Sequence, residues 1–164
     1  MQISQAMNEQ LNHQVSAEFA AAHKYLAMAC VFDGMGLKML SKRFLQQYEE
    51  ECGHALKIVK YLLEVGGTVK LEGVTKPKGD YKTVEEMVRA SLDSERHVTK
   101  LINDLVALAD SEKDYATRSF LNWYVDEQVE EVSSMEDLLR LVQLARDNVL
   151  QVEARVAHEM AAKS

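Results

Sequence analysis

The sequence predicts an all-α chain: a four-helix bundle with one long crossover between its second and third helices, followed by a short fifth helix. Three observations predict it. One proline and seven glycines in 164 residues leave few helix breakers, which favours long helices over a strand-rich fold. Apolar residues recur every three or four positions through most of the chain. One segment near the middle loses that rhythm and is too long for a simple turn.

The first helix, about 4–33, opens at Ser4, a capping residue, and carries Leu11, Val15, Phe19, Ala22, Leu26 and Ala29 before the Asp33-Gly34-Met35-Gly36 break. The second, about 37–65, carries Leu40, Phe44, Leu45, Tyr48, Cys52, Leu56, Val59 and Leu63 and stops at Gly66-Gly67. Residues 66–82 hold the only proline, Pro77, and no helical stripe. In an all-helical chain such a connection serves to run from one end of the bundle to the other.

Thr83 and Glu86 have the spacing of a capping box and start the third helix, about 83–109, with Val88, Leu92, Val98, Ile102, Leu105 and Leu108. A polar turn from Asp110 to Asp114 leads to the fourth, about 114–144, through Phe120, Tyr124, Val132, Leu138, Leu141 and Leu144. The fifth, about 146–161, sets Val149, Val152, Val156 and Met160 on one side. It is notably charged, with Arg146, Asp147, Glu153, Arg155, His158 and Glu159. The four long helices are each about 40 Å at 1.5 Å per residue. Short turns make helices one and two, and three and four, antiparallel pairs. A fifth helix with no place in a finished four-helix core is expected to pack against neighbouring subunits.

Residues 1–164 read as a single domain, long enough to bury a core. The net charge of −7, from 26 acidic and 19 basic residues, argues against nucleic acid as the main partner. No apolar run reaches the roughly 18 residues of a spanning helix, so no membrane partner is expected. Met1-Gln2-Ile3-Ser4 lacks the basic start of a secretory signal. Cys30 and Cys52 fall on helices and read as free thiols of a cytoplasmic protein.

The chemistry centres on Glu51-Cys52-Gly53-His54. A Glu and a His at i and i+3 share a helix face and can ligate one metal. Alone, the pattern is more often a surface Glu and a His at a bundle edge. Here Phe44, Tyr48 and Val59 surround it, and a carboxylate is rarely buried without a partner, because stripping its water costs several kcal/mol. The other long helices also set acids among apolar residues: Glu18 beside Val15 and Ala22, Glu95 between Leu92 and Val98, and Glu127, Gln128, Glu130 and Glu131 after Trp123 and Tyr124. Counted from the two short turns, Glu18 pairs in depth with Glu51, and Glu95 with the Glu127 to Glu131 run, to within about one turn. A carboxylate-rich set with one imidazole suits iron or manganese better than structural zinc. Cys52, two positions before His54, points elsewhere and reads as structural.

With these residues in place, the chain resembles a non-haem bacterial or archaeal ferritin over nearly its whole length. The resemblance rests on the segments Glu18 to Leu26, Glu49 to Ala55 and Phe120 to Glu131, with Glu95 between them. It implies a ferritin-like fold and a ferroxidase that oxidises Fe(II) with oxygen or peroxide and stores the product in a hollow homo-oligomeric cage of twenty-four copies. It also implies one iron held by Glu18, Glu51 and His54 with Gln128 near it, and a second held by Glu51 as a bridge, Glu95 and Glu131. Tyr25 would hydrogen-bond Glu95 and donate an electron. A third iron position would draw on Glu50, Glu127, Glu130 and Glu131, which otherwise form a solvated acidic face.

The departures from related patterns are informative. Bacterioferritins resemble this chain but carry a second Glu-x-x-His, where this sequence has Gln128 and Glu131, and a haem-binding Met where it has Cys52. Haem is therefore not expected. The acids of the animal three-fold pore correspond to Arg118 and Leu121, so that iron route is not carried over. A substrate-oxidising di-metal enzyme, a miniferritin using His13 and His23 between subunits, and a scaffold with merely solvated acids are the alternatives.

Overall fold

The computed structural model describes residues 3–146 and 148–162, and within them the chain forms five α-helices and no strand. They are α1 (Gln5–Gly34), α2 (Lys38–Glu64), α3 (Val84–Glu112), α4 (Tyr115–Ala145) and α5 (Val149–Ala162). Asp147, counted above among the charges of the fifth helix, lies outside the described residues, as do Met1, Gln2, Lys163 and Ser164.

The helix starts follow local chemistry. Ser4 Oγ accepts from Met7 N at 3.0 Å, and Thr83 Oγ1 accepts from Glu86 N at 3.1 Å. Glu86 reaches back to Lys82 N at 3.0 Å, one residue before the donor of a standard capping box. The end of α2 closes as a Schellman motif: Gly66 takes φ 76, and Gly67 N donates to Leu62 O at 2.8 Å.

Two boundaries differ from the sequence expectation. The third helix continues past Ala109 to Glu112, so the turn before α4 shrinks to Lys113 and Asp114. Lys113 supplies the left-handed residue at φ 55, and Asp114 at once caps α4 by accepting from Thr117 N at 3.0 Å. The polar residues Ser111 and Glu112 are exposed and are tolerated in the last helical turn. The fifth helix starts at Val149, beyond Arg146, which has φ 50.

The core is in two parts. One cluster includes Met28, Phe32, Leu40, Phe44, Val88, Met135 and Leu138 at the end where α1 finishes and α2 and α3 begin. The other includes Met7, Leu11, Ile58, Leu62, Ile102, Leu105 and Leu121 at the opposite end. The helix directions follow from these memberships: α1 is antiparallel to α2, α3 to α4, and the 66–82 crossover runs the length of the bundle. About fifteen extended residues reach about 50 Å, enough to span a helix of about 40 Å. Asn8 and Asn12 of α1 fasten its start, accepting from Thr68 N at 2.8 Å and Lys70 N at 2.6 Å.

The fifth helix docks on its own bundle. Val152 and Val156 are buried in the first cluster, with Val149 and Met160 packed against it. Its Glu153 also solves a problem of α2, whose N-cap, Leu37, offers no side-chain acceptor. The carboxylate accepts from Met39 N at 2.9 Å and Leu40 N at 2.7 Å. This cap comes from more than a hundred residues away in sequence, since Met39 and Glu153 are separated by 114 positions. Replacing Glu153 by Ala should cost about 1 kcal/mol, the usual loss for a helix cap. A lowered urea midpoint and faster amide exchange at Met39 and Leu40 are the expected readings.

Candidate metal centre

Between the two apolar clusters lies a polar layer to which all four long helices contribute. Glu18, Glu51, His54, Glu95, Gln128 and Glu131 are all buried there, as is Tyr25. Helical phase turns them inward. Phe44, Glu51 and Ile58 stand at heptad intervals on α2, and Glu18 and Glu95 each sit three residues after a buried apolar residue, Val15 and Leu92. An acid in the register of the core stripe has nowhere to go but inside.

One oxygen of each carboxylate is held by the protein. Gln14 Nε2 donates to Glu18 Oε1 at 2.8 Å. Gln47 Nε2 reaches both Glu51 Oε1 at 3.1 Å and Glu131 Oε2 at 2.8 Å, tying α2 to α4. The Tyr25 hydroxyl donates to Glu95 Oε1. The remaining oxygens of Glu18, Glu51 and Glu95, the Oε2 atom in each, are buried with no hydrogen-bond partner.

Those atoms converge. Ligand atoms of Glu18, Glu51 and His54 lie within 4.8 Å of one another, and so do those of Glu51, Glu95 and Glu131. Glu51 belongs to both sets, so the geometry is two adjoining positions with a shared carboxylate. His54 Nδ1 faces the first, 3.4 Å from Glu51 Oε2 and 4.0 Å from Glu18 Oε2. Three protein donors at each position leave room for further ligands. Gln128 Oε1 accepts from Thr99 Oγ1 at 2.9 Å, and its amide eases the charge on Glu95.

The electrostatics describe a layer short of positive charge. Burial, and after it the charge of Glu51, pushes Glu18 well above the ordinary carboxyl range, Glu95 up to about 7 and Glu131 up to about 8. Burial opposes a charge on His54, but the close approach of Glu51, 3.4 Å from Nδ1, and the charges of Glu51 and Glu18 hold it up at about 9. The Tyr25 phenol is pushed up by burial and then by Glu95. Protons on these carboxyls relieve the repulsion, and a divalent metal binding there would displace them.

At the edge of this layer, Glu49, Glu50, Glu127, Glu130 and Glu131 line an open groove of about 860 Å³ between α2, α4 and α5. All four residues expected for a third position are there. At ligand distances, however, Glu127 and Glu131 group with His54, and Glu50 and Glu130 are exposed members of the groove wall. His13 and His23 are exposed on α1, away from the buried layer. Leu121 is fully buried in the core and Arg118 pairs with Asp110 at 3.3 Å.

Several supporting residues escape a reading of the sequence. Gln14 and Gln47 each stand one turn before a buried glutamate, and that i, i+4 Gln–Glu spacing is the one signal that could have marked them. Thr99 and the Tyr124 hydroxyl, which donates to the His54 carbonyl at 2.7 Å, read only as ordinary bundle residues.

A family model described as a ferritin-like domain matches residues 8–145. The chain belongs to the ferritin family. This ferritin is 37% identical over 152 residues to ferritin BfrB of Mycolicibacterium smegmatis, covering 93% of this chain and 84% of that one. It is 41% identical over 132 residues to a bacterial non-heme ferritin of Staphylococcus aureus, covering 80% and 77%. In structure it superposes on an open pore ferritin from the archaeon Archaeoglobus fulgidus with a TM-score of 0.92 at 39% identity, covering 94% of this chain and 97% of that one.

The raised proton affinities give this ferritin a pH signature. Glu95 and Glu131 keep protons from the ordinary 4.5 up to about 7 and about 8, and His54 from 6.5 up to about 9. Within those windows the folded state binds more protons than the unfolded one, so stability falls as pH rises. Thermal melts of the metal-free protein should therefore lose Tm steadily between about pH 5 and about pH 9. Glu131→Gln should flatten the part of that slope lying below about 8.

Proposed function

We propose that this ferritin stores iron, oxidising Fe(II) to Fe(III) with oxygen or peroxide at the Glu51-bridged pair of positions and depositing a hydrated ferric oxide within a hollow shell of its own copies. The observation that carries this reading is the set of buried carboxylate oxygens on Glu18, Glu51 and Glu95 that no protein donor satisfies. A divalent cation bridging them would compensate all three at once.

In this reading iron is the substrate. Glu18, Glu51 and His54 bind one Fe(II), and Glu51, Glu95 and Glu131 bind the other. Anionic oxygen ligands favour the higher charge of Fe(III), while each open position admits the oxidant. Each iron gives up one electron, and two irons side by side deliver a pair together. Tyr25, whose hydroxyl donates to Glu95 Oε1, would give a further electron to the bound oxidant, its phenolic proton passing to Glu95. Gln14 and Gln47 hold the outer oxygens so that the inner ones stay aimed at the metals. The acidic groove of Glu50, Glu127, Glu130 and Glu131 gives ferric product a third position on its way out.

The wider proposals have their own support. Cys52, partly exposed and free, replaces the Met that binds haem in bacterioferritins, in keeping with a haem-free protein. Leu45, Leu56 and Leu63 of α2 remain 40%, 59% and 64% exposed in a single copy, an apolar row that association into a twenty-four-subunit cage would cover. The free thiols of Cys30 and Cys52 suit the cytoplasm.

Glu51→Ala combined with His54→Ala should abolish fast Fe(II) oxidation, followed by stopped-flow absorbance. Oxidation at the unaltered rate in a folded double variant would contradict the assignment. Crystals soaked anaerobically in Fe(II) should show two metals sharing Glu51, and electron microscopy should show hollow particles. A discrete dimer at working concentrations would rule out storage in a shell.

A further inference from the structure

His54 uses one ring nitrogen at the first metal position, and the fate of the other decides how well it can do so. Nδ1 faces Glu51 Oε2 and Glu18 Oε2 at 3.4 and 4.0 Å. Nε2 points the opposite way, toward the groove, and Glu127 Oε1 stands 3.8 Å from it. A neutral imidazole offers its lone pair to a metal only through the nitrogen that carries no proton. The proton must therefore sit on Nε2, and an acceptor there fixes that tautomer and raises the basicity of Nδ1.

The α4 helix is built around this ring. Trp123 meets the imidazole edge-on with centroids 5.3 Å apart, and Tyr124 fixes the backbone through the His54 carbonyl. Glu127 follows Trp123 by one helical turn and is half-buried, with 28% of its side chain exposed. Lys57 covers the outer face of Trp123 at 3.5 Å. Ring plane, backbone and Nε2 are thus all addressed from one helix face. A metal on Nδ1 withdraws electron density and makes Nε2–H a stronger donor. The 3.8 Å separation is longer than a hydrogen bond, and a small rotation of the partly exposed Glu127 side chain would bring its carboxylate within reach.

We infer that Glu127 is a positioning residue for His54, accepting its Nε2–H so that Nδ1 holds the first metal, and that this role is separate from any ligation in the groove. The inference rests on the ferritin reading of the buried layer.

The test is anaerobic Co(II) titration of the intact assembled protein, followed by the visible absorption of the bound ion, with His54→Ala as the reference that identifies the band due to His54. Glu127→Ala should weaken Co(II) at the His54 position by about tenfold to a hundredfold and shift that band. Glu127→Gln, whose amide oxygen still accepts, should recover most of both. Wild-type affinity and an unmoved band in Glu127→Ala would overturn the inference, as would the loss of only an additional, weaker Co(II) equivalent, which marks a groove ligand and nothing more. Failure of the unaltered protein to bind Co(II) in the layer would overturn the proposed pair of metal positions, and the positioning role with it.

Discussion

The fold is organised around a cost. A helical bundle of this length can fill its centre with leucine and valine, yet this one places four glutamates and a histidine there. Each buried carboxylate must be compensated, and in Glu18, Glu51 and Glu95 the protein compensates only one of the two oxygens. Gln14, Gln47 and Tyr25 satisfy the oxygens on the periphery of the layer, while the inward oxygens of Glu18, Glu51 and Glu95 face one another. Carboxylates at these separations repel strongly in a medium of low dielectric unless protonated or bridged by a cation. Everything else in the layer serves that arrangement: the heptad phase of Phe44, Glu51 and Ile58, the tie from α2 to α4 through Gln47, and the aromatic enclosure of His54.

Most of the architecture was legible because helical periodicity is a strong signal over long stretches. The crossover stood out by the loss of that signal, and the inward-facing acids by its persistence on either side of them. The boundary after Ala109 was less legible. Helices end where a left-handed residue and a new cap fall together, and Lys113 followed by Asp114 does that without any glycine to advertise it. The docking of α5 was illegible for a different reason: the cap that Glu153 provides to α2 joins residues remote in sequence, and no local pattern encodes it.

The site shows the same division. Glu18, Glu51, His54 and Glu95 could be named because each interrupts an apolar stripe. The partition of ligands between positions could not, since it depends on side-chain direction. Gln128 is the clearest case: its hydrogen bond to Thr99 turns it toward Glu95, a choice that spacing along α4 leaves open. Glu127 is a second, because a residue on the rim of an acidic run gains its meaning from the one ring nitrogen it faces.

The division of the apolar core into two clusters has a thermodynamic consequence. Ordinary helical bundles loosen from their tips, where helices are least covered. In this chain the tips are closed by tight apolar packing, and the least self-sufficient region is the waist. If the proposed irons bind there, the protein without them has two apolar halves joined by a seam of crowded acids. Hydrogen exchange at the middle of α1 to α4 then becomes a gauge of loading: slow when ions weld the halves together, fast when they do not.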